Sequence, residues 1–418
     1  KICRPQKTMR RTAAAALFSS VLAVPSVPPP ISANVHGLRQ TIATAIKAGD
    51  SAFTVAPGEY VFSNSSLIIS DARNLVIEAV DAIFIFYYGF GMQIIRGHNV
   101  TVRGLTFDSE PPNYAQGKVI SLLSETEFIA RFDDRFIPPD TAVEPFDSPG
   151  GSAGAKVAFW DPTLRRMLFS SNFLNGSTAG IGSAGEWRIP LRQPQLSTQG
   201  LQVGSLVTIF PRRGYTWHCV GCSSVAAVNV TIHGGGNMGF LETDGPGGNL
   251  YSHVAIRRKP AWDGLMALNA DGFHSSDMGV GPTLVDSQIS FTGDDFVNVH
   301  NRMKVICERL PNGSLAIVDP GGSLATMQRG DQLRFYQLLP GNPQRANPLL
   351  GAAEVAAVEA VHADHELIQH CHTVGDAMQQ QPYNVHLIGA VASSLHHAAV
   401  YRVDFLSQLP DAVTASGY

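Results

Sequence analysis

Three aspartates, Asp271, Asp294 and Asp295, are the residues in this sequence whose type and spacing best suit chemistry. Asp294 follows Asp271 by 23 residues, which is about one coil of a parallel β-solenoid, so strands on adjacent coils about 4.8 Å apart would gather all three on one surface. Clustered carboxylates repel, so one member is expected to keep its proton near neutrality while another stays ionised. Hydrolysis of a glycosidic bond needs that division: one acid protonates the leaving oxygen and one carboxylate activates water. Asp before Gly is common in turns, and Asp271-Gly272 alone carries little. The pair Asp294-Asp295 in an otherwise apolar strand carries more, because adjacent like charges there are costly without a purpose. Around them His274, Asn298 and His300 are candidate hydrogen-bonding partners of a substrate, and Trp262 and Trp217 candidate faces for stacking a sugar ring. Arg302 is a candidate contact for an acidic or hydroxyl-rich sugar, although an exposed salt bridge is the more usual fate of such a residue.

The elements that must hold these residues are short strands. The segments beginning Asn74, Asn99, Asn229 and His253 each place alternating apolar residues after a polar turn residue, the first pair 25 apart and the second 24, with Gln288 opening a looser fifth copy. Such a period without helical periodicity predicts an all-β parallel β-solenoid. Taking Phe240, Phe273 and Phe296 as equivalent inward positions sets Asp271 one coil from Asp294 and lays Gly272 beside Asp295, leaving a hollow for water or sugar. Leu38, Ile42 and Ile46 recur every four residues and predict a helix from Val35 to Lys47, ending at Gly49, that caps the N-terminal end of the coils. The expected organisation is a leader over 1–33, coils over 34–117, an inserted small β-structure over 118–210, central coils over 211–303 and a second insertion with an incomplete C-terminal part over 304–418. No capping element is recognisable before Tyr418, and the expectation is that the natural chain continues or the gene model is truncated; a complete transcript ending there would refute this.

Composition fits many short strands: of 418 residues only 15% are charged, and 40 Gly and 26 Pro punctuate the chain. A formal net charge of -4 and the lack of a basic run longer than Arg257-Arg258-Lys259 give no electrostatic case for nucleic acid. Met9-Arg10-Arg11 followed by apolar Ala13 to Val24 reads as an export signal, too short for a membrane span, and a secreted protein with no membrane partner is expected. Five glycosylation sequons, at Asn64, Asn99, Asn175, Asn229 and Asn312, accord with that. Beyond Cys3, the cysteines Cys219, Cys222, Cys307 and Cys371 allow two disulfides in three connectivities. His370-Cys371-His372 admits zinc, but the histidines from His362 to His372 give no ligand set, and no metal or cofactor is expected.

Asn269 to His274, followed by Gly293 to His300, resembles the pectin-lyase-like right-handed parallel β-helix proteins, most of all the α-1,3-galactosidases of glycoside hydrolase family 110. The resemblance implies a right-handed parallel β-helix and inverting removal of terminal α-linked galactose. It implies Asp294 as general acid and Asp271 with Asp295 as the pair that holds and deprotonates water. The polygalacturonases share one Asp followed by an Asp pair, but their downstream Gly-His-Gly and Arg-x-Lys are missing from the expected place. The alternatives are therefore a polygalacturonase-like hydrolase or lyase on the same scaffold, and a non-catalytic carbohydrate-binding or cell-wall protein.

Overall fold

Asn34 opens the first helix, Val35–Ala48, by accepting a hydrogen bond from the Gly37 amide at 3.0 Å, and Gly49 closes it at φ 73°. The computed structural model describes residues 34–63, 65–87, 90–143, 155–173, 179–180, 185–192, 201–211, 214–301, 303–319, 323–336, 349–379, 398–410 and 413. Leu38 and Ile42 are buried, as their spacing predicts, and the helix lies against the first strand of each of three sheets.

Those three sheets are parallel and six-stranded, and the chain visits them in strict rotation. The first sheet holds Ala52–Thr54, Arg73–Glu78, His98–Arg103, Ala226–Val228, Leu250–Ser252 and Thr283–Val285; the second holds Gly58–Phe62, Ala82–Phe86, Thr106–Ser109, Thr231–Ile232, Ala255–Ile256 and Gln288–Ile289. The third, which carries the site, holds Leu67–Ser70, Met92–Ile95, Tyr215–Val220, Met238–Thr243, Phe273–Ser276 and Val297–His300. Alternate residues face a shared interior. An aromatic file runs through it from Phe84 to Phe107 at 6.1 Å, Trp217 at 6.3 Å, Phe240 at 5.8 Å and Phe273 at 6.5 Å. Trp217 is 0% exposed, so it packs the core and offers no face to a sugar.

The repeat is real but spans two different corners. Asn74 and Asn99, at φ 52° and 53°, start strands of the first sheet, and the Asn99 side-chain amide donates to Asn74 Oδ1 at 2.9 Å. Asn229 and His253, both at φ 54°, instead precede strands of the second sheet. Gln288 pairs with Ala255, so the fifth copy starts two residues earlier, at Asp286, φ 47°. Asn tolerates the left-handed turn well, which is why the same residue type marks both corners.

One inward position is acidic. Glu242, 0% exposed, stacks between Cys219 and Ser275 and accepts from Ser275 Oγ at 2.6 Å, Asn249 Nδ2 at 2.8 Å and Tyr251 Oη at 3.1 Å. Burial pushes its carboxyl above the ordinary range, against the pull of those three donors.

Between the second and third sheets of one circuit the chain departs into a seven-stranded antiparallel sheet, from Ala115–Ser124 to Leu206–Phe210, with its own core of Phe128, Phe159, Ile189 and Val207. After the last circuit a five-stranded antiparallel sheet follows in the order Val305–Arg309, Leu315–Asp319, Ala399–Phe405, Leu349–Ala360 and Gln332–Tyr336. Helix His365–Gln379 packs on its first two strands, tied there by the Cys307–Cys371 disulfide. Cys219 and Cys222 are free and buried, so the second expected disulfide does not form. The disulfide also removes Cys371 from any zinc site. Asn99, Asn229 and Asn312 are exposed, while Asn64 and Asn175 lie outside the described residues. Among the described residues no helix is long and apolar enough to cross a membrane.

Candidate functional site

The last two strands of the third sheet and the loops leading into them bring the three aspartates together. One carboxylate oxygen from each of Asp271, Asp294 and Asp295 lies within 4.8 Å of the others. Their backbones are pinned by the ladder: Gly239 N donates to Asp271 O at 3.0 Å, Gly272 N to Asp295 O at 2.9 Å and Thr292 Oγ1 to Asp294 O at 2.9 Å. Asp271 is buried at 4% exposure, whereas Asp294 and Asp295 are exposed.

The register differs by one residue from the alignment of phenylalanines. Phe240 does pair with Phe273, but Phe273 pairs with Val297, and Phe296 is 59% exposed. This circuit needs one more residue than the 23-residue spacing suggests, and a single-residue slip turns a side chain to the opposite face. Gly272 consequently makes no hollow beside Asp295. A Cβ there would meet Ile289 Cγ2 at 2.2 Å and Phe296 O at 2.9 Å, so glycine is required by close packing.

His274 and Asn298 are register partners on the outward face, and both reach Asp271. His274 Nδ1 lies 2.6 Å from Asp271 Oδ2, and Asn298 Nδ2 donates to the same oxygen at 3.4 Å. His274 Nε2 meets His300 Nε2 at 3.1 Å, so one of these two nitrogens carries the hydrogen. A chain of groups able to pass a proton thus runs from the buried Asp271 to the exposed His300. His218, two circuits earlier in the same outward row, sits between Gln93 and Thr243; burial pulls its pKa down to about 4, which leaves the ring neutral at neutral pH.

Sequence reasoning missed Lys156. Its ammonium lies 2.8 Å from Asp294 Oδ2, and its side chain is only 12% exposed. The inserted sheet delivers it: Lys156 pairs with Phe210, whose ring edge closes on Gly293, and a Cβ on that glycine would stand 2.9 Å from Phe210 Cε2. No local signal separates Lys156 from other strand lysines, because its partner is 138 residues away. Three carboxylates so spaced would also suit a hard cation. With the Lys156 ammonium already supplying the counter-charge, we read the cluster as a proton-transfer site and assign no metal to it.

One further candidate, Trp262, falls elsewhere. Trp262 packs 5.7 Å from Phe136 with the Arg135 guanidinium 5.4 Å from its ring centre, and it lines a separate cavity with Tyr114, His233, Asp108 and Lys259, in which Lys259 Nζ meets Asp108 Oδ2 at 2.6 Å. Arg302 lies outside the described residues.

No protein-family model matches the chain, and no curated protein does. Among solved structures, a candidate glycosyl hydrolase from Parabacteroides merdae ATCC 43184 aligns over 67% of this chain and 89% of its own, at 12% identity and a TM-score of 0.27. The Gp54 tailspike of Acinetobacter baumannii bacteriophage AP22, solved with a capsular saccharide, aligns over 60% of this chain and 40% of its own, at 11% identity and a TM-score of 0.16. At these scores neither likeness carries an argument about this chain, which is similar to both only in this slight degree.

Proposed function

We propose that this protein is a secreted glycoside hydrolase on a right-handed parallel β-helix, removing terminal α-linked galactose from an oligo- or polysaccharide with inversion. The observation that carries the hydrolase reading is the convergence of one carboxylate oxygen from each of Asp271, Asp294 and Asp295 within 4.8 Å, ahead of the strands Phe273–Ser276 and Val297–His300. This is closer than the separation of about 6.5–9.5 Å usual between the acid and base of an inverting enzyme, so it does not itself support inversion. A carboxylic acid to protonate the departing oxygen and a carboxylate to deprotonate water are both available there. Right-handedness follows the near-universal hand of parallel crossovers. The choice of galactose and of inversion rests on the resemblance of Asn269 to His274 and Gly293 to His300 to the family 110 enzymes. That resemblance makes Asp294 the acid and the other two the water-holding pair. Asn298, His274 and His300 serve to orient Asp271 and to meet sugar hydroxyls.

The test is to incubate the purified protein with α- and β-galactosides and oligogalacturonides and follow the released sugar by NMR. β-Galactose appearing first from an α-galactoside is the expected result. α-Galactose first would refute inversion, unsaturated uronates would identify a lyase, and binding without turnover would leave a carbohydrate-binding protein.

A further inference from the structure

We propose that Lys156, carried in by the inserted sheet, is a positioning residue that sets the protonation of Asp294 and so fixes one limb of the enzyme's pH profile; this rests on the hydrolase reading above. The ammonium lies 2.8 Å from Asp294 Oδ2, with the lysine side chain 12% and the aspartate side chain 33% exposed. With its ammonium largely covered by the fold, this pair keeps more of its Coulomb attraction than the surface pairs of this chain such as Arg96–Asp71, at 64% and 57%. Opposite charge at this distance favours the ionised carboxylate.

Among the described residues, the charged groups close to Asp294 include Lys156 from the inserted sheet, Asp271 from the preceding circuit and Asp295 from Asp294's own segment, with His274 bonded to Asp271 and His300 in turn to His274. Two of these neighbours are acidic and disfavour a third negative charge. Lys156 offsets them from 2.8 Å. In the hydrolytic step a water oxygen bonds to the anomeric carbon as the glycosidic carbon–oxygen bond breaks. One carboxyl of the cluster gives its proton to the leaving oxygen, and another takes a proton from the water. Whichever role Asp294 holds, its charge before the step is the quantity that Lys156 controls.

The experiment labels the aspartate side-chain carboxyls with carbon-13 and follows their titration by NMR in the full-length protein, the Asp294 resonance being identified from its loss in Asp294→Asn. In Lys156→Met the midpoint of Asp294 should rise by about one pH unit or more, and Lys156→Arg should restore it. Thermal melting confirms that each variant is folded, and an unfolded Lys156→Met is replaced by Lys156→Gln. An unchanged midpoint in a folded variant overturns the proposal. With an α-galactoside as substrate, kcat/KM then shows which limb moves: the alkaline limb if Asp294 is the acid, the acid limb if it is the base. A shifted midpoint in a protein that cleaves no glycoside would refute the hydrolase reading and leave the Lys156–Asp294 coupling standing, without its catalytic consequence.

Discussion

Asp271 and Asp294 hold the same functional group in opposite surroundings, one buried against His274 and Asn298, the other exposed and held by a lysine. Replacing either by Asn keeps its shape and removes its proton chemistry. Each of Asp271→Asn and Asp294→Asn should lower kcat on an α-galactoside by about 10²–10⁴-fold while calorimetry still detects the sugar, and a loss below tenfold would remove that residue from the chemistry. Glu242 yields a prediction of another kind, because its carboxyl is raised by burial and favours the protonated form in the fold. Its contribution is full below the ordinary carboxylate range and is lost as pH rises through the raised folded value. Glu242→Gln should therefore gain stability over the wild type as pH rises from about 4.5, a trend read from melting temperatures across pH. The three aspartates were legible from the 23-residue spacing and the adjacent Asp294-Asp295 pair, although that pair sits ahead of the strand Val297–His300 and not within it. Lys156 was not, since its relation to Asp294 exists only after an independent sheet has folded.

Strand register decides what each side chain of the site can reach. The period of 24 to 25 residues was legible from Asn74, Asn99, Asn229 and His253, but the corner to which each belonged was not, because both corners demand the same left-handed backbone. The alignment through Phe296 failed for a related reason: residues are added in the corners, where neither pattern nor hydrophobicity counts them. Gly272 tests the corrected register. Gly272→Ala would press its Cβ on Ile289 and on the Phe296 carbonyl, and should cost about 1–3 kcal/mol in urea unfolding, whereas a true hollow at this position would accept the methyl without loss. In the C-terminal sheet, Cys307–Cys371 closes a 64-residue separation. Cys307→Ser with Cys371→Ser should destabilise that sheet by up to about 4 kcal/mol, measured as faster hydrogen exchange in Val305–Arg309 and Leu315–Asp319, with the circuits unaffected.

At the scale of the whole molecule, the parallel solenoid period was the most legible property; its distribution over three sheets and the two antiparallel sheets came only with the structure. Strand alternation within 118–210 announced β-structure, while the segment after Lys304 was read only as a second insertion; antiparallel partners far apart in sequence leave no period to read. The circuits are indifferent to the interruption. His98 and Ser223 meet across adjacent strands although 125 residues apart, where the neighbouring contact of Asn74 with Asn99 spans 25. The interrupting sheet has a core of its own, and it brings the Lys156 ammonium to Asp294. On the hydrolase reading proposed above, the acid–base groups and the ammonium that tunes them sit in separate pieces of the fold, so descendants that exchanged the insert while keeping the three aspartates would diverge in the acidity of the places they work.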